Sequence, residues 1–266
     1  MRMKLWLIVI EGALAALAIF AGIWAFQIWQ DSNSPKAGGC QETIVVGKSV
    51  NGVEITACRL IGSAIDSKNA LLVIGTIHGD EPDGKRVIDK LLTQAVSKES
   101  EIWVIRDGNP DGAVLVTRRN ANRVDINRNF PIKWEASDPT ARTYSGPSPA
   151  SEPETLALMQ AVQKIQPTRI VVFHQPYAQI DCPPERPATI SDRLSQITGY
   201  KSECIPGEKS GSPTNTYTGT FTIWVNSTFP DTTAVTFELG LTTLDAKIQT
   251  IAKAMRTLAA ETAYLP

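Results

Sequence analysis

The feature that most constrains the fold is a nearly continuous apolar run over residues 70–78, which ends in His78. Such a run is typical of a strand that is buried on both faces of a sheet. Pro82 then opens a helical pattern of apolar residues that continues to Ala95. Strands that alternate with helices in this way predict an α/β domain with a largely parallel central sheet flanked by helices.

Similar signals place further elements along the chain. Asn51-Gly52 is a strong turn signal between two alternating segments, so residues 43–46 and 53–60 are predicted to form a hairpin. Ser151-Glu-Pro-Glu154 has the pattern of a capping box with proline in the first turn, and it predicts a helix to about Ile165. The other predicted strands are residues 101–106, 169–174 and 233–239, and the other predicted helices are residues 190–197 and 244–263.

A second apolar run covers residues 5–29 and is interrupted only by Glu11 and Gln27. A helix of ~25 residues reaches roughly 37 Å, which is enough to span a bilayer. Arg2 and Lys4 precede the run, so the positive-inside rule places the N-terminus in the cytoplasm. We therefore expect a transmembrane anchor or signal-anchor at residues 1–30, a linker at residues 31–39 and the folded domain at residues 40–266.

The competing interpretation of the N-terminus is a cleaved signal peptide, whose apolar core is normally shorter, at about 7–15 residues. Both interpretations place the domain outside the cytoplasm, either anchored to the membrane or secreted. Export permits disulfides, and the four cysteines allow three connectivities. We predict pairing in sequence order, Cys40–Cys58 and Cys182–Cys204, and four buried thiols remain the alternative.

Composition excludes several classes of protein. The 26 Lys and Arg residues balance 27 Asp and Glu residues, so the chain lacks the basic field that nucleic-acid binding usually needs. No two cysteines form a Cys-x-x-Cys pair, which excludes a zinc finger or a thioredoxin-type site. Only two histidines are present, so no site can have three histidine ligands. Oligomeric state is not indicated.

Both histidines end predicted buried strands, and sites in open α/β sheets form at the carboxyl ends of strands. Glu81 follows His78 by three residues, and His174 ends the strand at residues 169–174. Together they supply the His₂Glu ligand set of a catalytic zinc ion, with one position left for water. A structural role for each histidine, and another divalent ion such as cobalt, are alternatives that these residues leave open.

Three further segments add polar groups near predicted strand ends. Asn109-Pro-Asp-Gly112 follows a strand, although alone it is typical of a turn. Residues 118–131 are rich in Arg and Asn, whose planar donors suit carboxylates and polarised carbonyls, unless the segment is a solvated loop. Glu238 places one carboxylate at an apolar strand end, which predicts either a structural pair or a catalytic base.

Taken together, these segments resemble the zinc carboxypeptidases of the funnelin type. The matching segments follow the order of the family and are His-Gly-Asp-Glu at 78–81, Asn-Pro-Asp-Gly at 109–112, Val-Asp-Ile-Asn-Arg-Asn-Phe-Pro at 124–131, Ser-Glu-Pro-Glu-Thr at 151–155, Phe-His at 173–174 and Phe-Glu-Leu at 237–239. Asn-Ala-Asn at 120–122 and the Ser-Glu-Pro-Glu-Thr segment make the chain most similar to murein tripeptide amidases, which cleave between γ-D-glutamate and meso-diaminopimelate in cell-wall peptides. The resemblance implies an α/β fold around a mixed sheet.

The resemblance also implies a role for each matched residue. The implied metal ligands are His78, Glu81 and His174, and Asp125 is implied to orient the first of these histidines. Glu238 is implied to be the general base. Arg118 is implied to polarise the scissile carbonyl, with the adjacent Arg119 as a possible substitute. Asn127 and Arg128 are implied to bind the terminal carboxylate of the substrate.

Three positions depart from the pattern of the family. Arg123 stands where similar sequences commonly carry Gly, and Gln175 stands where the amidases often carry Asp. Larger carboxypeptidases carry a mobile tyrosine over the site, which has no clear match here, and Tyr217 is the candidate because it lies in the corresponding region. These departures leave the metal and base set intact and bear on the identity of the substrate.

Together with the apolar segment at residues 5–29, which predicts export, the resemblance implies an exported metallopeptidase with one zinc ion. It would hydrolyse an amide bond next to a C-terminal carboxylate in short cell-wall peptides, using zinc-activated water and a glutamate base. The alternatives are a general metallocarboxypeptidase and a deacylase of N-acyl amino acids. A binding module without turnover would have lost a ligand or the base, and neither is lost.

Overall fold

The computed structural model describes residues 39–62, 69–93, 96–97, 100–183, 186–204 and 217–261. All of them belong to the unit that begins at Gly39. The predicted anchor at residues 1–30, and all of the predicted linker except Gly39, lie outside the described residues and stay predictions. Within the described ranges, no helix is long and apolar enough to cross a membrane.

The described residues form a sheet with helices on both faces. The strands are β1 (Glu42–Lys48), β2 (Glu54–Ile61), β3 (Leu71–Ile74), β4 (Glu101–Ile105), β5 (Arg169–His174), β6 (Tyr177–Ile180), β7 (Lys201–Ser202) and β8 (Thr233–Gly240). The helices are α1 (Asp83–Leu92), α2 (Pro110–Leu115), α3 (Pro153–Ile165), α4 (Thr189–Thr198), α5 (Phe221–Thr228) and α6 (Asp245–Ala260), with a 3₁₀ turn at Ile126–Arg128.

The strand order in the sheet is β1-β2-β4-β3-β5-β8-β6-β7. The four inner strands β4, β3, β5 and β8 are parallel, whereas β1 and β2 on one side and β6 on the other pair in antiparallel fashion. The predicted mixed, largely parallel sheet flanked by helices is therefore confirmed. Since parallel strands end at the same edge, the residues after β3, β4, β5 and β8 can meet there.

Two apolar cores lie on opposite faces of the sheet, because alternate residues of each inner strand point to opposite sides. One core joins Val171, Phe173 and Phe237 to helices α1, α4 and α6. The other joins Ile170 and Val172 to helices α3 and α5, together with the loop that contains the 3₁₀ turn. Burial on both faces explains why the inner strands are continuous apolar runs in the sequence.

The predicted disulfides Cys40–Cys58 and Cys182–Cys204 are both present. The first joins the segment before β1 to β2, and the second encloses α4. The predicted hairpin also forms, with Gly52 in its turn at φ 82°, a conformation that favours glycine. Its first strand is longer than the predicted residues 43–46, and its second is shifted by one residue from the predicted 53–60.

Several predicted boundaries were wrong. Strand β3 ends at Ile74 rather than at His78, because the chain turns over residues 75–80 to reach α1. The predicted capping box does not form: Glu152 is the residue before α3 and makes no side-chain cap, since its carboxylate is bonded elsewhere. Helix α6 ends at Ala260, after which Glu261 is extended. Elements α2, β6, β7 and α5 were not predicted.

Candidate active site

Three side chains that could hold a metal ion converge at the carboxyl edge of the sheet. His78 and Glu81 lie in the turn after β3, and His174 is the last residue of β5. The Nδ1 atom of His78 is 2.9 Å from Glu81 Oε1, and the Nδ1 atom of His174 is 2.9 Å from Glu81 Oε2. The two Nδ1 atoms are 3.1 Å apart. All three side chains are buried.

The turn that carries His78 depends on Gly79. A Cβ atom at this position would lie 2.0 Å from the carbonyl carbon of Gly112, so only glycine allows the turn to pack against α2. Helix α2 is itself held by Asn109, whose side chain accepts a hydrogen bond from the Gly112 N–H at 3.0 Å. The Asn-Pro-Asp-Gly segment is therefore a helix start rather than a simple turn, and it supports the metal-ligand turn.

The donor set fits a zinc ion. Two imidazole nitrogens that face each other beside one carboxylate repel through their lone pairs unless a proton or a cation lies between them. Asp125 Oδ1 lies 3.1 Å from the other nitrogen of His78, Nε2. Donation from Nε2–H to this carboxylate leaves the Nδ1 lone pair of His78 for a metal.

The ionisation of each of these three side chains affects the pKa of the others. Burial alone would raise the pKa of Glu81, but His78 and His174 hold that pKa well below its ordinary value. Burial lowers the pKa of His174, which favours the neutral form that binds a metal. Glu81 is thus ionised and the His174 imidazole is neutral, which are the protonation states in which these groups bind a metal ion.

Arg118 and Asp125 form the next layer of the site. The Nε–H of Arg118 donates to Asp125 Oδ2 at 2.7 Å, and its Nη1 is 3.4 Å from Glu81 Oε1. Burial would raise the pKa of Asp125, but Arg118 and His78 hold it well below its ordinary value. The guanidinium of Arg118 lines the cavity above the metal ligands. By contrast, Arg119 donates to the carbonyl of Ala141 at 3.4 Å and is not among the described residues that line the cavity.

A buried polar network that the sequence analysis missed holds the loop of Arg118 and Asp125. The amide nitrogen of Asn120 donates to Glu152 Oε2 at 2.7 Å and to Glu154 Oε2 at 2.8 Å. The Asn120 side-chain oxygen in turn accepts from the Val124 N–H. Both glutamates belong to the Ser-Glu-Pro-Glu-Thr segment, so that motif fixes the loop rather than capping a helix. The sequence feature that could have predicted this network is the presence of two asparagines at 120–122 and two glutamates at 152–154.

Asn127, Arg128 and Tyr217 lie together on another wall of the cavity. The side-chain oxygen of Asn127 accepts from the Phe221 N–H at 3.0 Å, which joins the 3₁₀ turn to the start of α5. The Arg128 guanidinium carbon is 4.8 Å from the centre of the Tyr217 ring, a cation–π arrangement. The candidate tyrosine therefore lies beside the predicted carboxylate-binding arginine.

Glu238 faces the same cavity from β8, where it is paired with His174 across the sheet. The Tyr177 N–H donates to Glu238 Oε2 at 3.5 Å. Burial, together with the negative charge of Glu81, raises the pKa of Glu238 to about 7. A carboxyl group with this pKa can both accept and release a proton near neutral pH.

The two other departures from the family pattern have structural explanations. Arg123 adopts a left-handed backbone with φ 65°, a conformation that favours glycine. The Gln175 amide is engaged by the fold: its oxygen accepts from the Asp83 N–H at 3.0 Å and its nitrogen donates to the carbonyl of Gly240 at 2.9 Å. Gln175 therefore ties the segment after His174 to β8 and α1.

Residues 34–181, more than half of the chain, match the zinc carboxypeptidase family. The chain belongs to this family. Murein peptide amidase A of Escherichia coli K12 is 36% identical over 145 residues, which cover 50% of this chain and 59% of that protein. A metallocarboxypeptidase A-like protein of Trichophyton verrucosum is 33% identical over 143 residues, which cover 44% of this chain and 34% of that protein. The matches thus span about three fifths or less of these relatives.

Solved structures extend the likeness over most of the fold. Murein-tripeptide amidase MpaA from Escherichia coli O157 has a TM-score of 0.68 and 26% identity, covering 86% of this chain and 96% of that one. Carboxypeptidase A from Helicoverpa armigera has a TM-score of 0.67 at 18% identity, covering 85% of this chain and 70% of that one, and shows likeness of fold alone.

Proposed function

We propose that this chain is a zinc-dependent metallopeptidase that hydrolyses an amide bond next to a C-terminal carboxylate, and that its substrate is γ-D-glutamyl-meso-diaminopimelate in murein peptides. The observation that carries the proposal is the convergence of a His₂Glu donor set, a buried glutamate and two arginines on one cavity of about 280 Å³. The similarity to murein peptide amidase A supports the choice of substrate.

His78, Glu81 and His174 would hold the metal, since their ligand atoms all lie within 4.8 Å of one another. When bound, zinc supplies Lewis-acid polarisation of an oxygen and lowers the pKa of water. Asp125 keeps His78 in the tautomer that can bind it, through the contact at Nε2. A single ion suits the three donors.

The remaining residues bind the substrate and move protons. Arg128 and Asn127 bind the terminal carboxylate and fix the register of the peptide. Arg118 donates to the carbonyl oxygen as negative charge develops there. Glu238 accepts a proton from the attacking water and then delivers it to the leaving amine, which its pKa near neutrality allows.

The test uses full-length protein loaded with zinc and the tripeptide L-Ala-γ-D-Glu-meso-diaminopimelate. We expect mass spectrometry to show free diaminopimelate, and we expect a chelator to stop its release. The matched variant Glu238→Gln should retain zinc and lose at least about 100-fold in kcat. Absence of diaminopimelate from the zinc-loaded wild type would contradict the proposed substrate, and cleavage of ordinary L-peptides or N-acyl amino acids instead would identify the replacement.

We also propose that the domain works outside the cytoplasm and stays anchored through residues 5–29. The apolar length of that segment supports an anchor, and the two disulfides suit an oxidising compartment. Expression in a Gram-negative host should give a domain that external protease digests in spheroplasts, with the original N-terminus intact. Protection of the domain from protease would contradict export, and a shortened N-terminus would contradict the anchor.

A further inference from the structure

Glu238, the proposed base, is held mainly by the position of its strand. Among the described contacts of its carboxylate, the only hydrogen bond comes from the Tyr177 N–H at 3.5 Å, which is long for such a bond. A general base must lie within about 3 Å of the proton that it accepts. The usefulness of this carboxylate therefore depends on how firmly the end of β8 is fixed.

The main-chain pairing between β5 and β8 ends at this residue. His174 and Glu238 are the last paired residues of the two strands. On the other side of β8, the pairing with β6 continues to Gly240, which lies opposite Tyr177. Beyond Glu238, the described pairing gives β8 no main-chain partner on the β5 side, which is the side of the metal ligand His174.

The side chain of Gln175 takes the place of this pairing. Its amide nitrogen donates to the carbonyl of Gly240 at 2.9 Å and to that of Leu241 at 3.1 Å. Its amide oxygen accepts from the Asp83 N–H at 3.0 Å, and its main-chain N–H donates to Glu81 Oε2 at 3.2 Å. One residue thus contacts the end of β8, the start of α1 and a proposed metal ligand.

A second connection joins the same segments. The Thr243 N–H donates to Asp83 Oδ2 at 2.7 Å, and Arg86 Nη1 donates to the Thr243 carbonyl at 2.8 Å. Thr243 and Asp83 are buried. Buried polar groups joined in this way resist displacement, because each group that moves leaves its partner unsatisfied. The chain after Glu238 is therefore fixed against the helix that follows the metal-ligand turn.

We propose that Gln175 is a positioning residue that holds the Glu238 carboxylate at a fixed distance from the metal ligands. This inference rests on the proposed function, to which it adds the residue that keeps the base in place. Both polar ends of the Gln175 amide are used by the protein itself, so the role needs no contact with substrate. Among side chains of this length, a neutral amide offers an acceptor together with two donors.

The test replaces Gln175 with methionine, which has nearly the same length and no hydrogen-bond donor. In the zinc-loaded full-length protein, we expect Gln175→Met to lower kcat on L-Ala-γ-D-Glu-meso-diaminopimelate by about 10-fold to 100-fold, because the base is misplaced. KM and zinc affinity should each stay within about 3-fold of the wild type, since the arginines and metal ligands keep their contacts. Gln175→Asn, which keeps the amide on a shorter side chain, should retain more of kcat than Gln175→Met.

Gln179→Met is the matched control. Gln179 lies on β6 opposite Glu238, and its amide donates to the carbonyl of Glu203, just after β7. This variant should keep the wild-type kcat. An equal loss of kcat in Gln179→Met and Gln175→Met, or a rise in KM with unchanged kcat in Gln175→Met, would overturn the inference.

Hydrogen exchange in the metal-free full-length protein tests the same inference without catalysis. Loss of the two bonds to β8 and the residue after it should speed amide exchange at residues 238–241 by about 10-fold in Gln175→Met, and Gln179→Met should match the wild type. If the zinc-loaded wild type cleaves no peptide, the proposed function fails, and this measurement then decides the inference by itself. Equal exchange at residues 238–241 in the wild type and Gln175→Met would overturn it.

Discussion

Asp125 connects the metal-ligand side of the cavity with its arginine side, because each carboxylate oxygen has a different partner. One oxygen lies 3.1 Å from His78 Nε2 and the other accepts from Arg118 Nε at 2.7 Å. The residue is fully buried, and its ionised form is stabilised by both neighbours. A change at this one position should therefore affect metal binding and transition-state stabilisation together.

We expect Asp125→Asn to weaken zinc binding by about 10-fold to 100-fold, because an amide no longer fixes the His78 tautomer with a negative charge. Competition with a chromogenic chelator measures the affinity directly. Asp138→Asn serves as the control, because Asp138 is exposed and its carboxylate bonds only to Thr140 among the described residues. Equal zinc affinity in wild type and Asp125→Asn would contradict the orienting role.

Glu238 gives a prediction about pH in the metal-free protein. Its pKa in the folded state, about 7, lies above the ordinary value of 4.5. The folded state keeps a proton that the unfolded chain releases, so the stability that is present below the unfolded pKa is lost as pH rises through 7. As the pH rises from about 5 to about 8, the Tm of metal-free Glu238→Gln should therefore fall less than the Tm of the metal-free wild type.

Thermal unfolding in the presence of a chelator measures this difference. Glu135→Gln, at an exposed glutamate, should follow the wild type over the same pH range. Parallel Tm curves for the wild type and Glu238→Gln would show that Glu238 does not carry the raised pKa.

At the scale of elements, the start of α3 organises the loop that carries Arg118. Glu152 and Glu154 both accept from the amide of Asn120, and Glu154 also accepts from the Val50 N–H in the β1–β2 turn. Burial raises the pKa of Glu154. The hairpin, the loop and the helix are thus joined by one network of buried polar groups, which is costly to leave half satisfied.

We expect Asn120→Ala to lower the free energy of unfolding by about 1–3 kcal/mol, because two buried carboxylates lose a donor. It should also lower kcat, since the loop positions Arg118. Urea unfolding and steady-state kinetics measure the two effects. Asn122→Ala is the matched control, because Asn122 is exposed and donates only to Glu152 among its described partners, at 2.9 Å. Equal losses in the two variants would contradict the role of the network.

Elements with a strong local pattern were predictable, and elements fixed by distant contacts were not. The apolar runs before His78 and His174 identified β3 and β5, because burial on both faces leaves an unmistakable pattern. Strand β6 and helix α5 were missed. Strand β6 is short and only one of its four residues is buried, whereas α5 is buried at six of its eight residues and so has no amphipathic pattern. The candidate site residues were predicted from their order along the chain and from the family resemblance, whereas the network of Asn120 with Glu152 and Glu154 needed the fold.

At the scale of the whole molecule, the disulfides close two loops of similar size. Cys40–Cys58 has a sequence separation of 18 and Cys182–Cys204 has a separation of 22. Loops of this length restrict the unfolded chain by comparable amounts in the chain-entropy account. The two bridges should therefore contribute similarly to stability although they lie at different ends of the sheet.

We expect the double variants Cys40→Ser/Cys58→Ser and Cys182→Ser/Cys204→Ser each to lose about 2–4 kcal/mol of unfolding free energy. Urea titration of both, with the oxidised wild type as reference, measures the losses. An unchanged urea midpoint in either variant would contradict this prediction, because it would show that the bridge restricts the unfolded chain no more than the native state.

The position of Cys40 also has a mechanical consequence. Tension applied through the chain that precedes Cys40 would pass through a covalent bond to Cys58, in the middle of a strand paired on both sides. The seventeen residues between the two cysteines, 41–57, which include all of β1, lie outside that path. Pulling at this end of the domain would have to shear β2 from β4 before β1 could unzip, so the hairpin is shielded from the pull.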